Sequence, residues 1–162
     1  MVEFAHPNTH KAFHIGHLRN ITTGESIVRL LEAVGYTVIR ANYQGDVGMH
    51  IAKCLYSILQ NSKQKTIQEK VEFLGKSYAA GSKAFEDDET AKAAIKDINF
   101  LVYAAAQTFQ QEQGNPVSST DYLRFVEGRK DELDEVYALW KETRQWSLDY
   151  FETIYKRVGT HY

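Results

Sequence analysis

"HPNTHKAFHIGH", residues His6 to His17, holds four of the six histidines in the chain, with one Asn, one Lys, one Pro and one Gly. Pro7 and the absence of a helical period make residues 6–13 a loop. The residues before it, Val2-Glu3-Phe4-Ala5, alternate as a strand does. From about Ile15, apolar residues recur at helical spacing: Leu18, Ile21, Ile27, Leu30, Leu31 and Val34, with Gly35 as the stop. Thr37 to Asn42 is β-rich. Gly45-Asp46-Val47-Gly48 reads as a turn and a helix start, and Ile51, Leu55, Ile58 and Leu59 mark the helix that follows. Strand, helix and strand within roughly 40 residues predict a βαβ unit with parallel strands. Ligands bind such units outside the carboxyl ends of the strands, where both of these loops fall.

Beyond Ser62 helical periods dominate: Ile67, Val71, Leu74 and Tyr78; Ile95, Ile98, Leu101 and Val102; Leu133, Val136 and Trp140; Leu148, Phe151, Ile154, Tyr155 and Val158. Glu86 to Glu89 is an acidic linker or helix start. Asn115-Pro116 with Ser118-Ser119-Thr120 is a loop. One βαβ unit leaves a two-stranded sheet, which normally needs further strands. The chain starts almost inside a strand and stops just past a helix end, so a fragment is expected.

The 162 residues suffice for one domain, or a small domain with a helical appendage. A net charge of −2 supplies no global field for nucleic acid, so any such contact needs a local patch or further chain. The single cysteine, Cys54, cannot form an internal disulfide, which fits a reducing compartment; the cytoplasm is the expected location. No apolar run suggests a membrane span.

His14-Ile15-Gly16-His17 straddles the loop-to-helix junction. A helix N-terminus offers unpaired N–H groups and partial positive charge, which favour phosphate. Two imidazoles add donors there, Gly16 lets a flat base or a phosphate approach, and Lys11 supplies a point charge. This set suits a polyphosphate whose charge grows during reaction. The spacing of His6, His10, His14 and His17 also resembles a metal site on a helix. Pro7 breaks such a helix and no acidic residue or cysteine is interleaved, so no metal ligand is expected among these residues.

"VEFAHPNTHKAFHIGHLRN" (2–20) followed by "LEAVGYTVIRANYQGDVGMHIAK" (31–53) resembles the opening of the catalytic domain of the arginyl-tRNA synthetase family, which is class I. H-x-G-H alone reaches only class I synthetases and related nucleotidyltransferases. The longer pattern P-N-x-x-K-x-x-H-x-G-H-L-R is more specific. "FLGKSYAAGSKAFEDDE" resembles the family's helical insertion more loosely, and "FETIYKRVGTHY" the stretch before the chain returns to the core.

The resemblance implies an α/β fold: a partial Rossmann-like parallel sheet over residues 1–62, then a mostly helical insertion over 63–162. It implies activation of L-arginine by ATP with Mg2+, then transfer to tRNA(Arg), adenylate formation generally requiring bound tRNA. It places His14, His17 and Lys11 as catalytic residues on the ATP phosphates, with Gly16 beneath the adenine. Asn8, His6, Pro7, His17 and Glu3 would line the arginine end.

Three departures stand out. Many family members carry Ser where His6 stands. Val47-Gly48-Met49-His50 replaces the commoner Trp-Gly-Thr-Gln after Gly-Asp, and Asp46 reads mainly as the cap of that helix. No K-M-S-K-S-like sequence occurs. With half the nucleotide site missing, this piece alone is expected to be inactive. The rival readings are another H-x-G-H nucleotidyltransferase and a helical interaction module with a metal-binding histidine loop.

Overall fold

The computed structural model describes residues 1–60, 67–116 and 120–162. The elements run β1 (Val2–Glu3), α1 (Ile15–Ala33), β2 (Arg40–Ala41), α2 (Met49–Leu59), α3 (Ile67–Asp87), α4 (Glu89–Glu112), a short 3-10 helix (Tyr122–Val126) and α5 (Lys130–Val158). The result is a mostly helical α/β chain with a small parallel sheet.

The sheet pairs Val2 with Arg40 and Glu3 with Ala41, in parallel. Val2 N–H donates to Ile39 O at 2.9 Å and Phe4 N–H to Ala41 O at 3.0 Å. Both strands are shorter than the alternation predicted. Ala5 and His6 take positive φ, 75° and 49°, which turns the chain out of the pleat before a longer ladder can form. An isolated parallel bridge, Asn8 to Gly45, resumes the contact further along.

α1 crosses the sheet at close range. A Cβ on Gly24 would stand 2.3 Å from the Phe4 ring, so only glycine lets the helix lie on that strand. The helix ends in a Schellman arrangement: Gly35 N–H reaches Glu32 O at 3.0 Å and Tyr36 N–H reaches Leu31 O at 3.1 Å. A buried carboxylate ties α1 to β2 and to the residues after α5. Glu25 accepts from Arg29 at 2.8 Å, from Arg40 at 3.0 and 3.1 Å, and from the Thr160 hydroxyl at 2.8 Å.

The main core lies on the helical side. Ile51, Cys54, Leu55 and Ile58 of α2 pack with Leu74 of α3, Ile95, Leu101 and Val102 of α4, and Trp140 of α5. A smaller cluster joins Ala5, Ile21, Phe151 and Tyr155. The acidic run serves as a helix junction: Asp88 caps α4 by accepting from Thr90 N–H at 2.7 Å and Ala91 N–H at 3.3 Å. Where the apolar spacing gave two runs, α5 is one helix of 29 residues. Of the predicted loop, Ser118 and Ser119 lie outside the described residues, while Asn115 folds back on α4 through its N–H to Gln110 O. Among the described residues no helix is long and apolar enough to cross a membrane.

Candidate functional site

α1 begins at His14, and the histidines themselves make its cap. His14 has extended backbone, and its Nδ1 accepts from Gly16 N–H at 3.1 Å. His17 Nδ1 in turn accepts from His14 N–H at 3.2 Å. This is a capping box built from two imidazoles in place of the usual hydroxyl and carboxylate.

The cap has a chemical consequence. A ring nitrogen that accepts from a backbone N–H carries no proton, so each neutral ring holds its proton on Nε2. The rings stack with centroids 3.8 Å apart and 28° between their planes. His14 is exposed and His17 half-buried, with the Phe13 ring centred 4.9 Å from the His17 ring. The start of α1 thus presents two stacked imidazoles, each with an Nε2–H donor, at the positive end of the helix dipole, while the capping box itself uses the Gly16 and His14 amides. Such a donor set fits anionic oxygens, phosphate above all. Burial, and then the neighbouring His14, lower the His17 pKa. The ring therefore binds as a neutral donor near neutral pH.

Gly16 fits the same local design. A Cβ there would lie 2.9 Å from His14 Cε1, pressing on the capping ring. Lys11 is half-buried, and its ammonium lies 4.9 Å from the centre of the Tyr78 ring on α3. Its charge also helps lower the His50 pKa, behind burial as the larger cause. An open groove of about 610 Å³ borders the loop, lined by Ala12, Gly75, Lys76 and Tyr150 among others.

The other predicted residues sit along the loop and at the sheet edge. Glu3 is exposed on β1 and Pro7 is buried. His6 N–H donates to Asn42 Oδ1 at 3.1 Å, and His6 Nδ1 accepts from Tyr43 N–H at 2.9 Å. Asn8 lies on Gly45, where a Cβ would come 2.2 Å from Asn8 Oδ1 and push that amide aside. The four histidines of the loop do not converge. His14 and His17 stack on each other, His6 is fastened to the β2 loop, and His10 is enclosed elsewhere.

Asp46 corrects an expectation. The cap position of α2 is Gly48, with no side-chain capping bond. The Asp46 carboxylate instead takes Arg144 Nε at 2.6 Å, and its carbonyl takes Trp140 Nε1 at 2.7 Å. An ion pair with a guanidinium on a facing helix outbids the local cap because it secures two elements at once.

Sequence reasoning missed the residues of α5 that hold this region. Thr143 and Ser147 bond to His10, and Tyr155 accepts from Asn42 Nδ2 at 2.8 Å. The available signal was two hydroxyl residues, Thr143 and Ser147, on the buried stripe of Trp140, Phe151 and Tyr155.

A family model for "tRNA synthetases class I (R), catalytic domain" matches residues 1–149. The chain belongs to that family. Curated relatives carry the name arginine--tRNA ligase. The one from Bdellovibrio bacteriovorus is 32% identical over 156 residues, covering 96% of this chain and 23% of the relative. That from Treponema denticola is 30% identical over 161 residues, covering 98% and 23%. That from Flavobacterium psychrophilum is 28% identical over 174 residues, covering 100% and 26%. The chain spans about a quarter of the length of these synthetases.

Proposed function

We propose that this chain is part of an arginine--tRNA ligase acting in protein biosynthesis in the cytoplasm, and that residues 6–17 form the phosphate-binding half of its ATP site. In this reading L-arginine is activated by ATP to the adenylate and then transferred to tRNA(Arg). Residues 1–62 are the first half of a Rossmann-type catalytic domain, and residues 63–162 are a helical insertion.

The observation that carries the reading is the stacked pair of Nε2–H donors at the start of α1. When arginine's carboxylate attacks the α-phosphorus, negative charge builds on the phosphoryl oxygens. Donors fixed in advance by the capping box meet that charge without reorganising. His14 and His17 supply them, the helix dipole adds to them, and Lys11 contributes a cation from the flank. Gly16, under the His14 ring, is the position that the family resemblance puts beneath the adenine. The donors at this point are all N–H groups, which suit phosphate oxygens and not a metal ion. Mg2+ would therefore arrive on the ATP, where it offsets phosphate charge. Asn8, on the adjoining Gly45 loop, His6 and the Pro7 backbone line the arginine end, with His17 between the two substrates and Glu3 at the margin.

The test is arginine-dependent exchange of pyrophosphate into ATP, with tRNA(Arg) present. The full-length protein containing this segment should show it, and residues 1–162 alone should not. Full-length protein that is folded yet exchanges with no amino acid would refute the reading. Transfer to a different acceptor would move it to another H-x-G-H nucleotidyltransferase.

A further inference from the structure

One helix touches both loops at this end of the sheet. Trp140 and Arg144 hold the carbonyl and carboxylate of Asp46. Tyr155 receives Asn42, whose other amide atom receives His6 N–H. Thr143 and Ser147 hold His10. Thr143 and Arg144 stand three and four residues after Trp140, Ser147 stands four and three after them, and Tyr155 stands about two turns further on, so they share one face of α5.

His10 is the most tightly held of the contacted residues, and the least comfortable. It is fully buried, and its φ is 61°, a left-handed value that costs a non-glycine residue energy. Its N–H donates to Ser147 Oγ at 3.0 Å. Its Nδ1 meets Thr9 Oγ1 at 3.0 Å, and its Nε2 meets Thr143 Oγ1 at 2.7 Å. Thr143 Oγ1 also donates to Leu139 O at 2.6 Å. That hydroxyl has one proton, so keeping the short bond to Leu139 makes it an acceptor toward His10. The ring then carries its proton on Nε2, and its Nδ1 accepts from Thr9 when that hydroxyl, which also reaches Gly45 O at 3.2 Å, turns its one proton to the ring. Burial first, and then the charges of His50 and Arg144, keep the ring neutral.

A strained backbone persists where its surroundings over-determine it, and such positions gather at functional sites. Here the strain sits immediately before Lys11 and four residues before His14. The partners that fix it lie 133 and 137 residues away in sequence. Within residues 6–13 the Thr9 hydroxyl meets the His10 ring, but the His10 N–H and Nε2 are held from α5.

We propose that His10 is a positioning residue: clamped by Thr143 and Ser147, it carries the placement of α5 into the direction of Lys11 and the start of α1. The packing of the helical part then sets turnover at the imidazole pair, without touching substrate. This rests on the reading of residues 6–17 as the ATP site.

The test uses the full-length protein with Thr143→Val, which keeps shape and removes the hydroxyl, and Thr143→Ser, which restores it. Misplacing reacting groups from a distance costs up to about 10²-fold in rate. Thr143→Val should lower kcat for pyrophosphate exchange about 10-fold or more, with KM for arginine changed less than about twofold; Thr143→Ser should recover most of the loss. Amide exchange in a peptide covering residues 8–18 should rise in Thr143→Val, and this readout does not require activity. A lower Tm with unchanged kcat and unchanged exchange would overturn the proposal. Should Thr143→Val fail to fold, Ser147→Ala is read by the same two measurements and the same criteria. Loop exchange that rises in a protein without arginine-dependent activity would spare the positioning role and sink the ATP reading instead.

Discussion

The helical side and the sheet corner of this molecule are held by different forces. α2, α3, α4 and α5 share an apolar core in which Ile51, Leu55, Ile95, Leu101 and Trp140 lose nearly all contact with solvent. In the corner of β1, β2 and α1, Ile27, Leu30, Val34 and Ile39 remain exposed. Cohesion there adds to a small apolar cluster around Ile21 and Phe151 a polar set: the buried Glu25 carboxylate and hydrogen bonds that run to α5, with Gly24 lying on Phe4. Apolar burial is non-directional and tolerates small shifts. Charge-assisted hydrogen bonds fix direction. A site that must aim N–H donors at a ligand is therefore built in the second manner and backed by the first.

The largest effects should separate the two regions most clearly. Trp140→Ala removes a buried ring from the helical core and orphans the Asp46 carbonyl. It should cost about 3–5 kcal/mol in denaturant unfolding. His14→Ala removes an exposed ring and a cap, so its stability loss should stay near 1 kcal/mol. In the full-length enzyme the same change should lower turnover roughly 10²–10³-fold, as loss of a charge-stabilising donor does. A His14→Ala protein with near-normal turnover would erase the distinction, and so would one destabilised as much as Trp140→Ala.

The start of α1 was legible in the sequence because its chemistry is local. The histidines at 14 and 17 cap each other across three residues, and the apolar spacing after Ile15 marks the helix. The parallel strand pair was legible for the same reason. What stayed hidden depends on distant partners. Ala5, His6 and His10 adopt left-handed backbone without glycine, which no local pattern signals. Asp46 looked like a cap because its partner Arg144 stands 98 residues further on. The role of His10 could not be read from its own neighbourhood when the hydroxyls that hold it belong to another helix.

A smaller effect tests the polar manner of holding the corner. Glu25 is buried, and the Arg40 guanidinium, with Arg29 and Thr160, keeps its carboxyl near 2, well below the usual carboxylate range. A depressed carboxylate stabilises the fold at pH above its unfolded value, and that contribution is lost as pH falls toward the folded value. Acid should therefore begin to loosen the corner below about pH 4.5 and continue to about 2. Glu25→Gln keeps the shape but loses the charge, and should cost about 2 kcal/mol near neutral pH. It should also remove most of the acid dependence between those limits. A variant as stable as the parent, with the same acid profile, would show that apolar contacts hold this corner after all.

The smallest effect concerns the cap. Burial and the adjacent His14 depress the His17 pKa from its ordinary 6.5. Between the folded value and 6.5 the unfolded chain binds a proton that the folded chain refuses, so stability rises with pH in that window and falls on acidification. The added proton must go to Nδ1, the atom that accepts from His14 N–H, so each protonation opens the capping box as well as charging the ring. The His17 imidazole should titrate below 6.5 when followed by NMR, and its titration should move the His14 amide resonance with it. His10, pushed down to about 3 by burial, should stay silent over the same range and serve as the internal control. His17 titrating at or above 6.5, or a His14 amide indifferent to it, would mean that Nδ1 is not the accepting atom. The two rings would then not be set in advance as Nε2–H donors.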